Sequence, residues 1–111
     1  MKNSVSIEYY ELFGEDFLQP GDRVAVSIDG VDVLIFNLDG VYYAIHNSCT
    51  HMEAQLDDGE LEGFEIVCPR HGAHFDIRTG AVKSLPAYID IQTYPLKVED
   101  GVISLGLPGV N

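Results

Sequence analysis

Apolar and polar positions along this chain alternate with a period of two. Short runs of β-branched and aromatic residues follow one another, most closed by a glycine-bearing turn, and no window sustains the i, i+3, i+4 spacing of an amphipathic helix. Val5–Leu12, Arg23–Ile28, Val31–Leu38 and Val41–His46 read as strands, as do Gln92–Val98 and Val102–Leu105. Asp29-Gly30, Asp39-Gly40 and Asp100-Gly101 lie between successive runs. An Asp-Gly pair is a strong hairpin signal, because both residues tolerate the positive φ that a two-residue turn demands. Pro20-Gly21 marks an earlier turn. The pattern predicts an all-β protein from end to end.

The segment 47–86 has a different texture. It holds only short strand-like pieces, Leu61–Val67 and His74–Ile77, with turns at Glu62-Gly63 and Thr79-Gly80. The organisation this predicts is one domain over residues 1–111, with a β framework from 1–46 and 87–107. The segment 47–86 is set into that framework as a separate subdomain of short strands and loops. Pro108–Asn111 is expected to fray as a tail.

Composition narrows the picture. A chain of 111 residues with 46% hydrophobic content fits one globular domain, and eleven glycines suit many tight turns. The longest unbroken apolar run is Val41–Ile45, far short of the ~20 residues a spanning helix needs. Met1-Lys2-Asn3-Ser4 has no secretory character. A cytoplasmic protein without membrane association is therefore expected, in a compartment where paired cysteines seldom form structural disulfides. The net charge of −12 excludes nucleic acid as a partner, since phosphate would be repelled. The acidity either steers basic protein surfaces toward the chain or serves solubility alone.

The chemistry sits in four residues. Cys49-Thr50-His51 and Cys68-Pro69-Arg70-His71 hold both cysteines and two of the four histidines, and sixteen residues separate the clusters. Two loops that each offer one thiolate and one imidazole make a four-ligand metal site. The set suits a [2Fe-2S] cluster with one iron on two Cys and the other on two His. With two thiolates and two neutral imidazoles the oxidised cluster is uncharged, and one electron leaves it singly negative. Four thiolates would start it doubly negative and make reduction harder, so the mixed set lifts the potential to about −150 to +300 mV. Tetrahedral zinc would also accept two Cys and two His, although its pairs are more often Cys with Cys and His with His. A Cys/His nucleophile would leave one complete pair without a role.

These residues carry a resemblance. Cys49-Thr50-His51, Cys68-Pro69-Arg70-His71-Gly72-Ala73-His74-Phe75-Asp76, Thr79-Gly80 and Leu85-Pro86, with the lead-in Tyr43-Ala44-Ile45, resemble a Rieske-type iron–sulfur domain. The resemblance implies an antiparallel β-sandwich framework carrying a cluster-binding subdomain with two ligand loops. Cys49 and Cys68 would bind the inner iron, and His51 and His71 the outer one near the surface. It also implies that Pro86 covers the cluster from a third loop. His74, three residues after His71, is read as structural or solvent-facing rather than as a ligand, and His46 as a partly buried polar residue at a strand end.

Departures from the family's patterns place the branch. Respiratory Rieske proteins join their ligand loops by a disulfide, where this chain has Ala54 and Arg70. They also set a Ser and a Tyr hydroxyl near the cluster, where this chain has Ala73 and Phe75. Hydrogen bonds to cluster sulfurs raise the potential, so their absence predicts a value near the low end of the Rieske range. The chain is too short to include the catalytic domain of an oxygenase large subunit. It resembles instead the ferredoxin component of bacterial dioxygenase systems, which is not itself an enzyme. That implies single electrons passed from a flavin-dependent reductase to a terminal oxygenase, through transient docking on basic surfaces. The rivals are the Rieske small subunit of an assimilatory nitrite reductase and a non-redox zinc-binding module. The acidic run Asp57-Asp58-Gly59-Glu60 is either a docking element or a solvated turn.

Overall fold

The computed structural model describes residues 7–49 and 55–108. Its strands are β1 (Ile7–Gly14), β2 (Arg23–Ile28), β3 (Val31–Leu38), β4 (Val41–His46), β5 (Leu61–Glu62), β6 (Glu65–Val67), β7 (His74–Asp76), β8 (Thr93–Tyr94), β9 (Leu96–Glu99) and β10 (Val102–Pro108). They form three sheets with orders β1-β10-β9, β2-β3-β4-β8 and β5-β6-β7, every pairing antiparallel. No helix is present among the described residues, and hence none long and apolar enough to cross a membrane. The all-β expectation holds.

The second sheet is the spine of the molecule. All of Val33–Leu38 on β3 is buried, because successive side chains of a strand point to opposite faces and both faces are covered. Leu34, Phe36, Leu38 and, from β4, Ile45 feed a core shared with Cys49, Leu56, Ile66, Cys68, Ala73, Phe75, Ile77, Ala87 and Ile91. Val33, Ile35 and Ala44 feed the opposite core with Leu18, Tyr94, Leu105 and Leu107. One hairpin thus separates a framework core from a core that contains both cysteines.

The three Asp-Gly turns are formed as the sequence predicts. Asp29, Asp39 and Asp100 have φ of 56°, 56° and 53°, and the glycine after each is also positive. β2, β3 and β4 coincide with the predicted runs. The first run differs: β1 extends to Gly14 with a register shift between Glu11 and Phe13, which is a bulge that re-aims the strand end. Val5, Ser6 and the residues after Pro108 lie outside the described residues.

Leu61–Val67 forms the hairpin β5 to β6 with the turn expected at Glu62-Gly63, where Gly63 takes a φ of 61°. One further difference has a local cause. The run Gln92–Val98 breaks at Pro95, which has no N–H to give to a ladder. Tyr94 pairs with Ala44 in the spine sheet, whereas Leu96 pairs with Leu105 in the outer one, so the chain changes sheets at the proline.

Candidate metal centre

The first cluster begins where β4 ends. His46 and Asn47 continue the framework by backbone bonds to Gln92 and Asp32, of 2.8 and 2.9 Å. Cys49 follows two residues later and is 4% exposed. His51 lies outside the described residues, together with Thr50 and Ala54. Leu56, in the same core as Cys49, is fully buried.

The second cluster is the turn from β6 to β7. The Cys68 N–H donates to the Ala73 carbonyl at 2.8 Å, and the Gly72 N–H donates to the Cys68 carbonyl at 2.9 Å. Gly72 has a φ of 77°, the left-handed conformation that lets six residues close so tightly. The two candidate ligands on this turn differ in burial. Cys68 is 1% exposed, while Pro69, Arg70, His71 and Gly72 are exposed. Cys49 and Cys68 pack in one apolar core, and no disulfide engages either.

A third segment closes over the same core. Phe75 and Val82 form a bridge, and the Lys83 N–H donates to the His74 carbonyl at 2.8 Å. The His74 N–H donates to Ser84 Oγ at 3.0 Å, and the Val82 N–H donates to Asp90 Oδ1 at 3.0 Å. Beyond this neck the Leu85–Pro86 peptide bond is cis, Pro86 is half-buried, and Leu85 and Tyr88 stand in solvent.

His74 is engaged away from the ligand set. Its Nδ1 lies 2.9 Å from Glu65 Oε1 and 3.9 Å from Glu62 Oε1. His46 is half-buried, with Nδ1 3.4 Å from the Tyr94 hydroxyl. Burial raises the pKa of that tyrosine above its ordinary value. In the acidic run, Asp58 and Glu60 are exposed while Gly59 is buried, and the Val67 N–H donates to the Glu60 carbonyl at 2.9 Å. The run is therefore packed against β6. A cleft of about 350 Å³ separates it from the second turn, lined by Asp58, Glu60, Cys68, Pro69 and Gly72.

The donor chemistry fits a [2Fe-2S] group as far as the described residues reach. Two buried thiols at the base of two loops offer the soft, shielded ligands of an inner iron, and an imidazole on an exposed turn offers an outer one. The described residues alone contain no gathering of three or more His, Cys, Asp and Glu side chains able to hold a metal ion, and His51 is not among them. Ala73 and Phe75 are fully buried, and neither brings a hydroxyl to this core.

Sequence reasoning missed several supporting residues. Asp76 and Arg78 form a two-point pair of 3.2 and 3.0 Å, and the Arg78 guanidinium lies 4.2 Å from the Phe64 ring centre. Hydrogen bonds from Arg78 hold the Asp76 carboxyl below the usual carboxylate range, against a smaller opposing effect of burial. Asn47, Ser84 and Asp90 brace loops through side-chain bonds to backbone. Their residue types favour such bonds, but nothing in the sequence names the distant partner.

Comparison with known proteins shows the family. The Rieske [2Fe-2S] domain matches residues 8–95. The ferredoxin component of the naphthalene 1,2-dioxygenase/salicylate 5-hydroxylase systems of a Ralstonia species is 42% identical over 85 residues, which is 77% of this chain and 82% of that protein. Among solved structures, a ferredoxin from Sphingomonas yanoikuyae B1 is 38% identical with a TM-score of 0.82, covering 91% of this chain and 100% of that one. A chain from the complex of reduced oxygenase and oxidised ferredoxin in carbazole 1,9a-dioxygenase is 28% identical with a TM-score of 0.82, covering 87% of this chain and 91% of that one.

Proposed function

This chain belongs to the Rieske [2Fe-2S] family, and on that premise we propose that it is the ferredoxin of a multicomponent aromatic-ring dioxygenase system. It carries single electrons and alters no bond in a substrate. Cys49 and Cys68 hold the inner iron, and His51 and His71 hold the outer one. Residues 47–86 form the cluster-binding part of a single domain spanning 1–111. A bound two-iron, two-sulfide cluster supplies a one-electron store.

The observation that carries this reading is the contrast in burial within one turn, Cys68 at 1% exposure and His71 in solvent. The cysteines keep their end of the site dry, which protects thiolates from oxidation. The exposed imidazole gives a partner protein a short approach to the site. Protein surface carrying a net charge of −12, with Asp58 and Glu60 beside the second turn, steers basic faces of a flavin-dependent reductase and of a terminal oxygenase. Both dockings are brief, and the protein works in the cytoplasm.

Iron and acid-labile sulfide analysis, with visible and electron paramagnetic resonance spectra before and after dithionite, tests the centre. Two irons, two sulfides and a Rieske signal on one-electron reduction are expected. Zinc without sulfide overturns the reading. Transfer rates to an oxygenase should fall as salt rises, since screening shortens the reach of surface charge. A rate indifferent to salt removes the role of the acidic surface. Stable co-purification with a large reductase subunit would favour the nitrite reductase rival.

A further inference from the structure

We infer that Asn47 is a positioning residue for Cys49, its side chain latching Leu56, on the far side of the segment that carries the first candidate ligands in sequence, to the end of β4. The inference rests on the cluster-binding role proposed above, and the geometry of the latch is independent of it.

Asn47 is itself immobilised. It is 3% exposed, and its N–H donates to the Asp32 carbonyl at 2.9 Å, one step beyond the end of β4. The preceding N–H, of His46, donates to the Gln92 carbonyl at 2.8 Å. From this fixed base Asn47 Oδ1 accepts the Leu56 N–H at 2.8 Å. A single bond thus joins the ends of the ten-residue stretch 47–56, and Cys49 and His51 lie between them in sequence.

The acceptor meets a donor that needs one. Leu56 is fully buried in the core that holds Cys49 and Cys68, where water cannot replace a lost partner. The latch also passes its position onward. The Gly59 N–H donates to the Leu56 carbonyl at 2.9 Å, and the Val67 N–H donates to the Glu60 carbonyl at 2.9 Å. Val67 directly precedes Cys68. A chain of bonds therefore runs from the framework through Asn47 and Leu56 to the strand that delivers the second cysteine. Releasing Oδ1 would uncouple Leu56, and the bonds that follow it toward Val67, from the end of β4 while leaving the sheets intact.

The test compares holoproteins purified without oxygen: wild type, Asn47→Leu, Asn47→Asp and Leu107→Ala. Leucine fills the site without an acceptor, aspartate keeps an oxygen in place, and Leu107 lies in the opposite core, so its variant serves as a control for general destabilisation. Asn47→Leu should lose its visible spectrum to an iron chelator about tenfold faster than Leu107→Ala, as a buried amide left without a partner implies. Its reduced paramagnetic signal should broaden, while Asn47→Asp keeps the signal and the wild-type retention time. Equal retention by Asn47→Leu and Leu107→Ala, or equal loss by the leucine and aspartate variants, overturns the latch.

Hydrogen exchange at the Leu56 amide gives a readout that needs neither the cluster nor the leucine variant. In the wild type it should be protected to the level of β3 amides, and exchange at the rate of an open loop overturns the inference. A wild-type chain that takes up no cluster on reconstitution defeats the proposed function, and Leu56 exchange then decides the latch by itself.

Discussion

Gly80 and Ile91 meet backbone to backbone: the Ile91 N–H donates to the Gly80 carbonyl at 2.7 Å, and a Cβ on Gly80 would lie 2.1 Å from the Ile91 carbonyl oxygen. Gly80 also has a φ of 80° and donates its own N–H to the Asp76 carbonyl at 2.7 Å. The segment that leaves the cysteine-bearing core passes over this glycine on its way back to the framework. Gly80→Ala adds a side chain to a space already filled by backbone, in a conformation that L-residues disfavour. It should cost about 3 kcal/mol or more in urea titration. Gly40 is a built-in comparison, with a φ of 88° and open space around it. Gly40→Ala carries conformational strain alone and should cost about 1–2 kcal/mol. Equal costs at both sites would mean that Gly80 and Ile91 can part without penalty.

What could be read from the sequence was what is encoded locally. The Asp-Gly turns were legible because two adjacent residues suffice to specify them, and all three have positive φ at both positions. The Cys/His clusters were legible because each pair lies within three or four consecutive residues. Pro95 was visible as a proline but not as a change of sheet, since that depends on Ala44 and Leu105, which are remote in sequence. Val33–Leu38 announces a buried strand, yet its service to two separate cores appears only when three sheets are stacked. Asn47 and the Asp76–Arg78 pair were illegible for the same reason, because polar residues reveal their work only with their partners in place.

The Asp76–Arg78 pair should make stability depend on acid. The folded carboxyl has a pKa below its ordinary value, so it binds a proton less readily folded than unfolded. Its stabilisation is complete above the unfolded pKa of about 4, and drains away as pH falls toward the folded value. Asp76→Asn weakens the charged bonds to Arg78 and should cost about 1–3 kcal/mol at pH 7. Below pH 4 the gap between variant and wild type should narrow. Urea titrations at several pH values would reveal it, and a gap that widens on acidification would reverse the assigned sign.

Ligation should separate two histidines that lie three residues apart. His71 is exposed on the turn after Cys68, whereas His74 is half-buried, its ring Nδ1 2.9 Å from Glu65 Oε1 and its backbone N–H donated to Ser84 Oγ. His71→Cys should abolish the Rieske paramagnetic signal whether or not a cluster survives, because replacing an imidazole by a thiolate adds negative charge to the centre. His74→Ala should keep the signal and lose about 1 kcal/mol of stability with its carboxylate partner. The opposite result, a signal that survives His71→Cys and vanishes with His74→Ala, would exchange the two roles.

The core around the cysteines should also set the potential. Ala73 and Phe75 are fully buried and offer no hydroxyl, so the wild-type value should lie near the low end of the Rieske range, about −150 mV. Ala73→Ser and Phe75→Tyr each supply a donor. A hydrogen bond to a cluster sulfur strengthens as the centre gains negative charge, so it favours the reduced form. If it is worth about 1–3 kcal/mol more in that form, the potential rises by about 40–130 mV. A hydroxyl that finds no sulfur has a different signature: stability drops by about 1–3 kcal/mol and the potential stays where it was. Potentiometric titration beside urea denaturation separates these outcomes for each variant. A wild-type potential well above zero would show that some other donor already serves the sulfurs. The missing hydroxyls at positions 73 and 75 would then have no bearing on the redox level.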